Sequence, residues 1–157
     1  MPAKLNPLTD EEKNAFEILK KCLISPPILK LPKKGLPYSI DTDACNYQVG
    51  VVLLQTYPDG TRHPLGYWSR TLNPAEKNYT TTEKECLAVV WGCQILRPYL
   101  EGSHFRIYTD HQPLKWLLGI TDTSGRLARW RLRLSEFDYS VDYKKDIKIH
   151  WLTPYLD

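Results

Sequence analysis

The sequence lacks what several function classes require. Its four cysteines, Cys22, Cys45, Cys86 and Cys93, form no C-x-x-C pair, and no closely spaced histidines join them, which argues against a zinc site. Cys86 and Cys93 instead fall in a dense apolar run, where free thiols act as small core hydrophobes. The opening MPAKLNPLTDEEK has no apolar signal core, and no window approaches a membrane span. A reducing, intracellular setting, cytoplasmic or nuclear and with no membrane partner, is therefore expected. Large charge excess is also missing: a net +3 permits a nucleic-acid partner without arguing for one, so the placement of the basic residues has to decide. Glycine and proline are scattered, and with 42% hydrophobic and 25% charged residues the 157-residue composition is that of a folded chain.

What is present divides into a short N-terminal piece and one domain. Residues 9–24, TDEEKNAFEILKKCLI, set Thr9 and Glu12 at capping-box spacing and place Ala15, Phe16, Leu19, Cys22 and Leu23 on one stripe, predicting an amphipathic helix stopped by Pro26-Pro27. The proline-rich SPPILKLPKKGLP (25–37) has no period of its own, so residues 1–36 read as helix plus connector and 37–157 as the main domain. Within the latter, YSIDTDA (38–44) and YQVGVVLLQ (47–55) read as strands, and YPDGT turns into a third, RHPLGYWSR (62–70). A helix from about Thr81 is apolar almost all round from Cys86 to Cys93, as expected of a helix buried on more than one side. HFRIYTD (104–110) predicts a strand, QPLKWLLG a short helix, GRLARWRLRLSEF (125–137) a basic amphipathic helix and YSVDY (139–143) a last strand. The order β-β-β-α-β-α-α-β implies an α/β fold with a mixed sheet.

In such sheets ligands gather outside the carboxyl ends of the parallel strands, where Asp43 and Asp110 end the first and fourth strands. Glu85 can join them: it shares a helix face with Ala88, Val89 and Gly92, small enough for close approach to the sheet, whereas Glu83 shares that of Leu87, Val90 and Trp91. Asp41 has the same strand parity as Asp43 and by spacing alone competes with it. Three converging carboxylates repel unless hard cations neutralise them, and Mg²⁺ takes such oxygens.

The strings DTDACNYQVGVVLLQ, HPLGYWSRTLNPAEKNYTTTEKECLAVVW, LRPYLEGSHFRIYTDHQPLKWLL and GRLARWRLRLSEFDYSVDY resemble, in order, the ribonuclease H domain of gypsy-type LTR retrotransposon Pol polyproteins, over roughly residues 37–149. The resemblance implies a ribonuclease H-like fold, with a five-stranded mixed sheet, helices on both faces and the extra N-terminal helix, residues 1–36 being similar to the segment that joins that family's reverse transcriptase to its ribonuclease H. It further implies cutting of the RNA strand of RNA–DNA hybrids during reverse transcription, with two Mg²⁺ (or Mn²⁺) ions held by four acids, inside a larger polyprotein and, in the parent element, a virus-like particle. The family's acids in T-D-A, E-K-E and T-D-H fall on Asp43, Glu85 and Asp110. Arg126, Arg129 and Arg133 form a basic stripe beside Leu127, Trp130 and Leu134, and with Arg70 of the S-R-T-L segment they become candidate backbone contacts. His111 reads as structural rather than as a proton carrier. No polymerase active-site motif is present.

The ending departs from the family. There, V-A-D-A-L-S-R supplies a fourth ligand, and the position of that acid is Thr153. Written GTG GCT GAC GCC CTA TCT CGA and read from its second base, the family string gives Trp-Leu-Thr-Pro-Tyr-Leu, the sequence of residues 151–156. A one-base deletion after His150 would produce this ending; sequencing of the source DNA tests it. Two functions are therefore expected to compete: a ribonuclease H of reduced or lost turnover, and an inactive retroelement remnant that at most binds nucleic acid.

Overall fold

The computed structural model describes residues 7–24, 29–111 and 125–145. The segment expected as a short helix, 112–119, lies outside them, as does the tail with Thr153. The first helix, α1 (Asp10–Ile24), begins as its sequence predicts: the Glu12 amide donates to Thr9 Oγ1 at 3.2 Å and the Thr9 amide to Glu12 Oε2 at 2.8 Å, a reciprocal cap. Its apolar stripe is not buried. Phe16 is 51% exposed, Ala15 is also exposed and Leu19 only half-buried, while the side chains of Cys22 and Leu23 lie outside the described ones.

The connector is fastened to the sheet. The Gln55 carboxamide, wholly buried, accepts from the Lys33 amide and donates to the Lys33 and Leu36 carbonyls, and the Lys30 amide donates to Pro64 O. A five-stranded mixed sheet follows, built from β1 (Tyr38–Ala44), β2 (Gln48–Thr56), β3 (Arg62–Thr71), β4 (Phe105–Thr109) and β5 (Tyr139–Tyr143) in the order β3-β2-β1-β4-β5. The first three strands pair antiparallel; β4 pairs parallel with β1 and β5 parallel with β4. A register irregularity at Leu53/Leu54 sits opposite Pro64, which has no amide to give the ladder.

Besides a short 3-10 helix at Glu76–Asn78, three further α-helices complete the described part: α2 (Thr81–Ile95), the one-turn α3 (Arg97–Leu100), which the sequence pattern did not foretell, and α4 (Arg126–Leu134). One core joins Ile40, Val51, Leu53, Phe105 and Ile107 of the sheet to Cys86, Val89, Val90 and Cys93 of α2 and to Trp130 and Leu134 of α4. Burial pushes the Cys86 and Cys93 thiols up to about 12, so they behave as apolar filling. A Cβ at Gly92 would stand 3.1 Å from Val51 Cγ2, so glycine lets α2 lie close to β2. The opposite face of the sheet is mixed: Val52 and Leu54 are buried there beside Ser39 and Asp41 of β1, which both take the Arg62 guanidinium, itself 4.3 Å from the Tyr108 ring.

Candidate metal centre

Asp41 aligns with Tyr108 across the parallel β1–β4 pair, so Asp43 near the end of β1 and Asp110, one residue past β4, come to the same edge of the sheet. Helix α2 is set over this edge by the Thr80 cap: Thr80 Oγ1 accepts from the Glu83 amide and Glu83 Oε2 from the Thr80 amide. One half-turn later comes Glu85. Oxygen atoms of Asp43, Glu85 and Asp110 all lie within 4.8 Å of one another. The Ala44 amide donates to Asp43 Oδ1 at 2.9 Å and orients that carboxylate.

The electrostatics are unfavourable without a counter-charge. Glu85 is 5% exposed, and its Oε2 is buried with no hydrogen-bond partner among the described residues. Burial first, then the charges of Asp43 and Asp110, push its carboxyl up to about 8. Asp43 and Asp110 are exposed, and partial desolvation and then Asp110 raise the Asp43 carboxyl. A partially desolvated trio of hard oxygens with an orphaned lone-pair set is the donor chemistry that suits Mg²⁺ or Mn²⁺, so the residues fit such an ion.

Neighbouring acids are excluded from the trio by arginines. Asp41, its competitor by parity, is bound at both oxygens by Arg62, with side chains 10% and 14% exposed. Glu83 caps α2 and accepts from Arg126 at 3.0 Å. Of the two glutamates it is Glu85 that lies with Asp43 and Asp110. Arg70 makes a two-pronged bond to Glu76, at 2.7 and 2.9 Å, and Arg126 stacks 3.8 Å from the centre of the Tyr79 ring besides holding Glu83. Arg129 and Arg133 are exposed and make no ion pair with the described residues. Sequence reasoning missed Arg62 as the partner of Asp41 and Glu76 as that of Arg70; a six-residue spacing hinted at the second, whereas the first follows only from sheet register. His111, half-buried, reaches back from the end of β4 to α2, with its Nε2 3.1 Å from Thr82 Oγ1.

Residues 33–137 match the family described as the RNase H-like domain found in reverse transcriptase. Among curated relatives, the Retrovirus-related Pol polyprotein from transposon 297 of Drosophila melanogaster is 46% identical over 131 residues, 83% of this chain and 12% of the relative. The corresponding polyprotein from transposon opus of the same fly is 41% identical, with 88% and 14% covered. The Transposon Tf2-3 polyprotein of Schizosaccharomyces pombe is 37% identical, with 87% and 10% covered. The chain thus spans about a tenth to a seventh of the length of these relatives. Its fold is similar to that of a foamy viral protease-reverse transcriptase solved with double-stranded DNA, at TM-score 0.69 and 17% identity over 91% of this chain and 28% of that one. It is similar as well to LC11-RNase H1, isolated from compost, at TM-score 0.52 and 13% identity, covering 76% and 91% of the two chains. Sequence and fold together settle the family: the chain belongs to the RNase H-like domains found in reverse transcriptases.

Proposed function

We propose that this chain is the ribonuclease H part of a retrotransposon Pol polyprotein, hydrolysing the RNA strand of RNA–DNA hybrids, with Asp43, Glu85 and Asp110 holding two Mg²⁺ or Mn²⁺ ions. Residues 1–36 are read as the connector from a reverse transcriptase and 37–157 as the nuclease domain. The observation that carries the reading is the buried, partnerless Oε2 of Glu85 within an acid trio spanning 4.8 Å, since no protein cation neutralises it among the described residues. When bound, divalent cations supply Lewis acidity to a phosphodiester and make water a better nucleophile. The chain itself does the positioning: β1 and β4 deliver two carboxylates at one level, α2 lowers the third from the core side, and the Ala44 amide fixes the orientation of Asp43. Arg129 and Arg133 take backbone phosphates, ahead of Arg70 and Arg126, whose guanidiniums already serve Glu76 and Glu83. The hybrid as substrate is supported by the foamy viral protease-reverse transcriptase solved with an RNA/DNA hybrid, which is similar to this chain at TM-score 0.62 and 18% identity over 90% of this chain and 20% of that one.

Thr153 in place of a fourth acid favours a second reading, a hybrid-binding remnant that cuts little. A gel assay on labelled hybrid with Mg²⁺ or Mn²⁺ separates the two. Replacing residues 151–157 by Val-Ala-Asp-Ala-Leu-Ser-Arg is expected to raise cleavage well above that of the chain as it stands, and Asp43→Asn to abolish it. Cleavage by the unaltered chain equal to that of the replaced one would show that three acids suffice; a replaced chain that stays inert returns the binding reading.

A further inference from the structure

The three carboxylates repel one another, yet α2 and the end of β4, which carry two of them, are brought together. Three observations meet at this junction. First, the His111 amide donates to Thr109 Oγ1 at 3.1 Å, closing a tight turn over Asp110; Thr109 itself is fully buried at the end of β4. Second, the His111 ring then spans to α2, with Nε2 3.1 Å from Thr82 Oγ1. Among the described residues this is the one side-chain hydrogen bond between α2 and the 105–111 segment. Third, Thr82 and Glu85 are three residues apart on the helix, so the bonded hydroxyl and the ligating carboxylate lie on one side of α2.

From this closed path, which runs from Asp110 through His111 and Thr82 to Glu85, we infer that the Thr82–His111 pair is a clasp that preorganises the cation site by holding the Glu85 helix against the Asp110 turn. The inference rests on the reading of the acid trio as a cation site. Both residues are positioning residues, since neither is a member of the trio. Burial of the core, with Gly92 against Val51, sets the distance between α2 and the sheet, and Arg126 ties α2 to α4 through Glu83; the Thr82–His111 bond adds the directional tie between α2 and the end of β4 at the level of the acids. Without the clasp, repulsion between Glu85 and Asp110 is free to widen the gap, and the cation has to draw the ligands back at a cost in affinity. Supporting contacts of this kind are commonly worth about 10- to 100-fold in metal affinity.

Mn²⁺ titration of the full 157-residue chain, read by calorimetry, tests the clasp, with circular dichroism of the metal-free proteins as the check on folding. Thr82→Val, which keeps the shape and deletes the hydroxyl, and His111→Ala are each expected to weaken Mn²⁺ binding about 10-fold with an unchanged metal-free spectrum. Thr82→Ser is expected to retain the parental affinity and His111→Gln to recover most of it. The double variant Thr82→Val/His111→Ala should bind no more weakly than the worse single variant, because both remove the same bond. Parental affinity in both single variants, or a double variant whose loss is the product of the two single losses, overturns the clasp. A parent chain whose Mn²⁺ binding survives Glu85→Gln overturns the cation reading of the trio as well, and so is distinguishable from failure of the clasp alone.

Discussion

Two sets of acids stand within a few residues of each other and are treated in opposite ways. Asp41, Glu76 and Glu83 each have an arginine, namely Arg62, Arg70 and Arg126. Asp43, Glu85 and Asp110 have no cationic partner among the described residues. On β1 the contrast is between residues two apart on one strand; on α2 it is between residues two apart on one helix. The fold therefore has the means to neutralise carboxylates here and applies it to Asp41, Glu76 and Glu83, while among the described residues the trio has no arginine. That difference marks the site more sharply than the clustering of acids does, because acids grouped on a surface are common, whereas a buried acid left without its own cation is costly.

The comparison can be broken from either side. The largest expected effect is on the paired set: Arg62→Ala leaves the buried Asp41 carboxylate uncompensated and should lower unfolding stability by about 3–5 kcal/mol in urea denaturation, whereas Arg62→Ala combined with Asp41→Asn should recover much of the loss. In the open set the sign reverses. Glu85→Gln, which removes a charge the fold disfavours, should raise the melting temperature of the metal-free protein at pH 8 by roughly 3–5 °C, or about 1 kcal/mol, while ending Mn²⁺ binding by calorimetry.

The pH dependence follows from the same carboxyl. Its folded value of about 8 lies above the ordinary 4.5, so the protonated form is the one the fold prefers. That contribution to stability is fully present below about 4.5 and is lost as pH rises through about 8, with Asp43 acting in the same direction. Thermal melts of metal-free protein should therefore show stability declining from pH 5 to pH 8, and saturating Mg²⁺ should flatten the decline. A metal-free melting temperature that rises across this window would contradict the assignment. The smallest effect concerns exposed charge: Arg129→Ala with Arg133→Ala should reduce the slope of log hybrid affinity against log salt by roughly 1–2, and an unchanged slope would assign these arginines to solvent alone.

How much of this could be read in the amino-acid order depends on the range of the interaction. The capping box at Thr9 and Glu12 and the all-apolar helix were legible, because their signals lie within a few residues. Strand ends carrying Asp43 and Asp110 were legible for the same reason, and Glu85 followed from the small residues on its face, which Gly92 against Val51 bears out. The arginine partners were not. Arg62 reaches Asp41 across β2, and Arg126 reaches Glu83 across 43 positions, so each pairing is a product of register or helix docking that no local pattern encodes. The stripe on α1 teaches the complementary lesson: periodicity announces that a face is apolar but does not supply what covers it, and Phe16 remains exposed.

The parallel register of β1 and β4 has one more consequence. Neighbouring strands stand about 4.8 Å apart whatever their side chains, so the pairing of Asp41 with Tyr108 brings the two strand ends side by side, and only the last step to Asp110, one residue past β4, is left to the turn. The root of the jaw is thus β-structure, while its Asp110 tip is not. On the proposed cation reading, substitutions around the rim can alter how firmly the jaw is held and how it is shielded, whereas its root in the paired strands is set by the main chain and is beyond the reach of side-chain mutation.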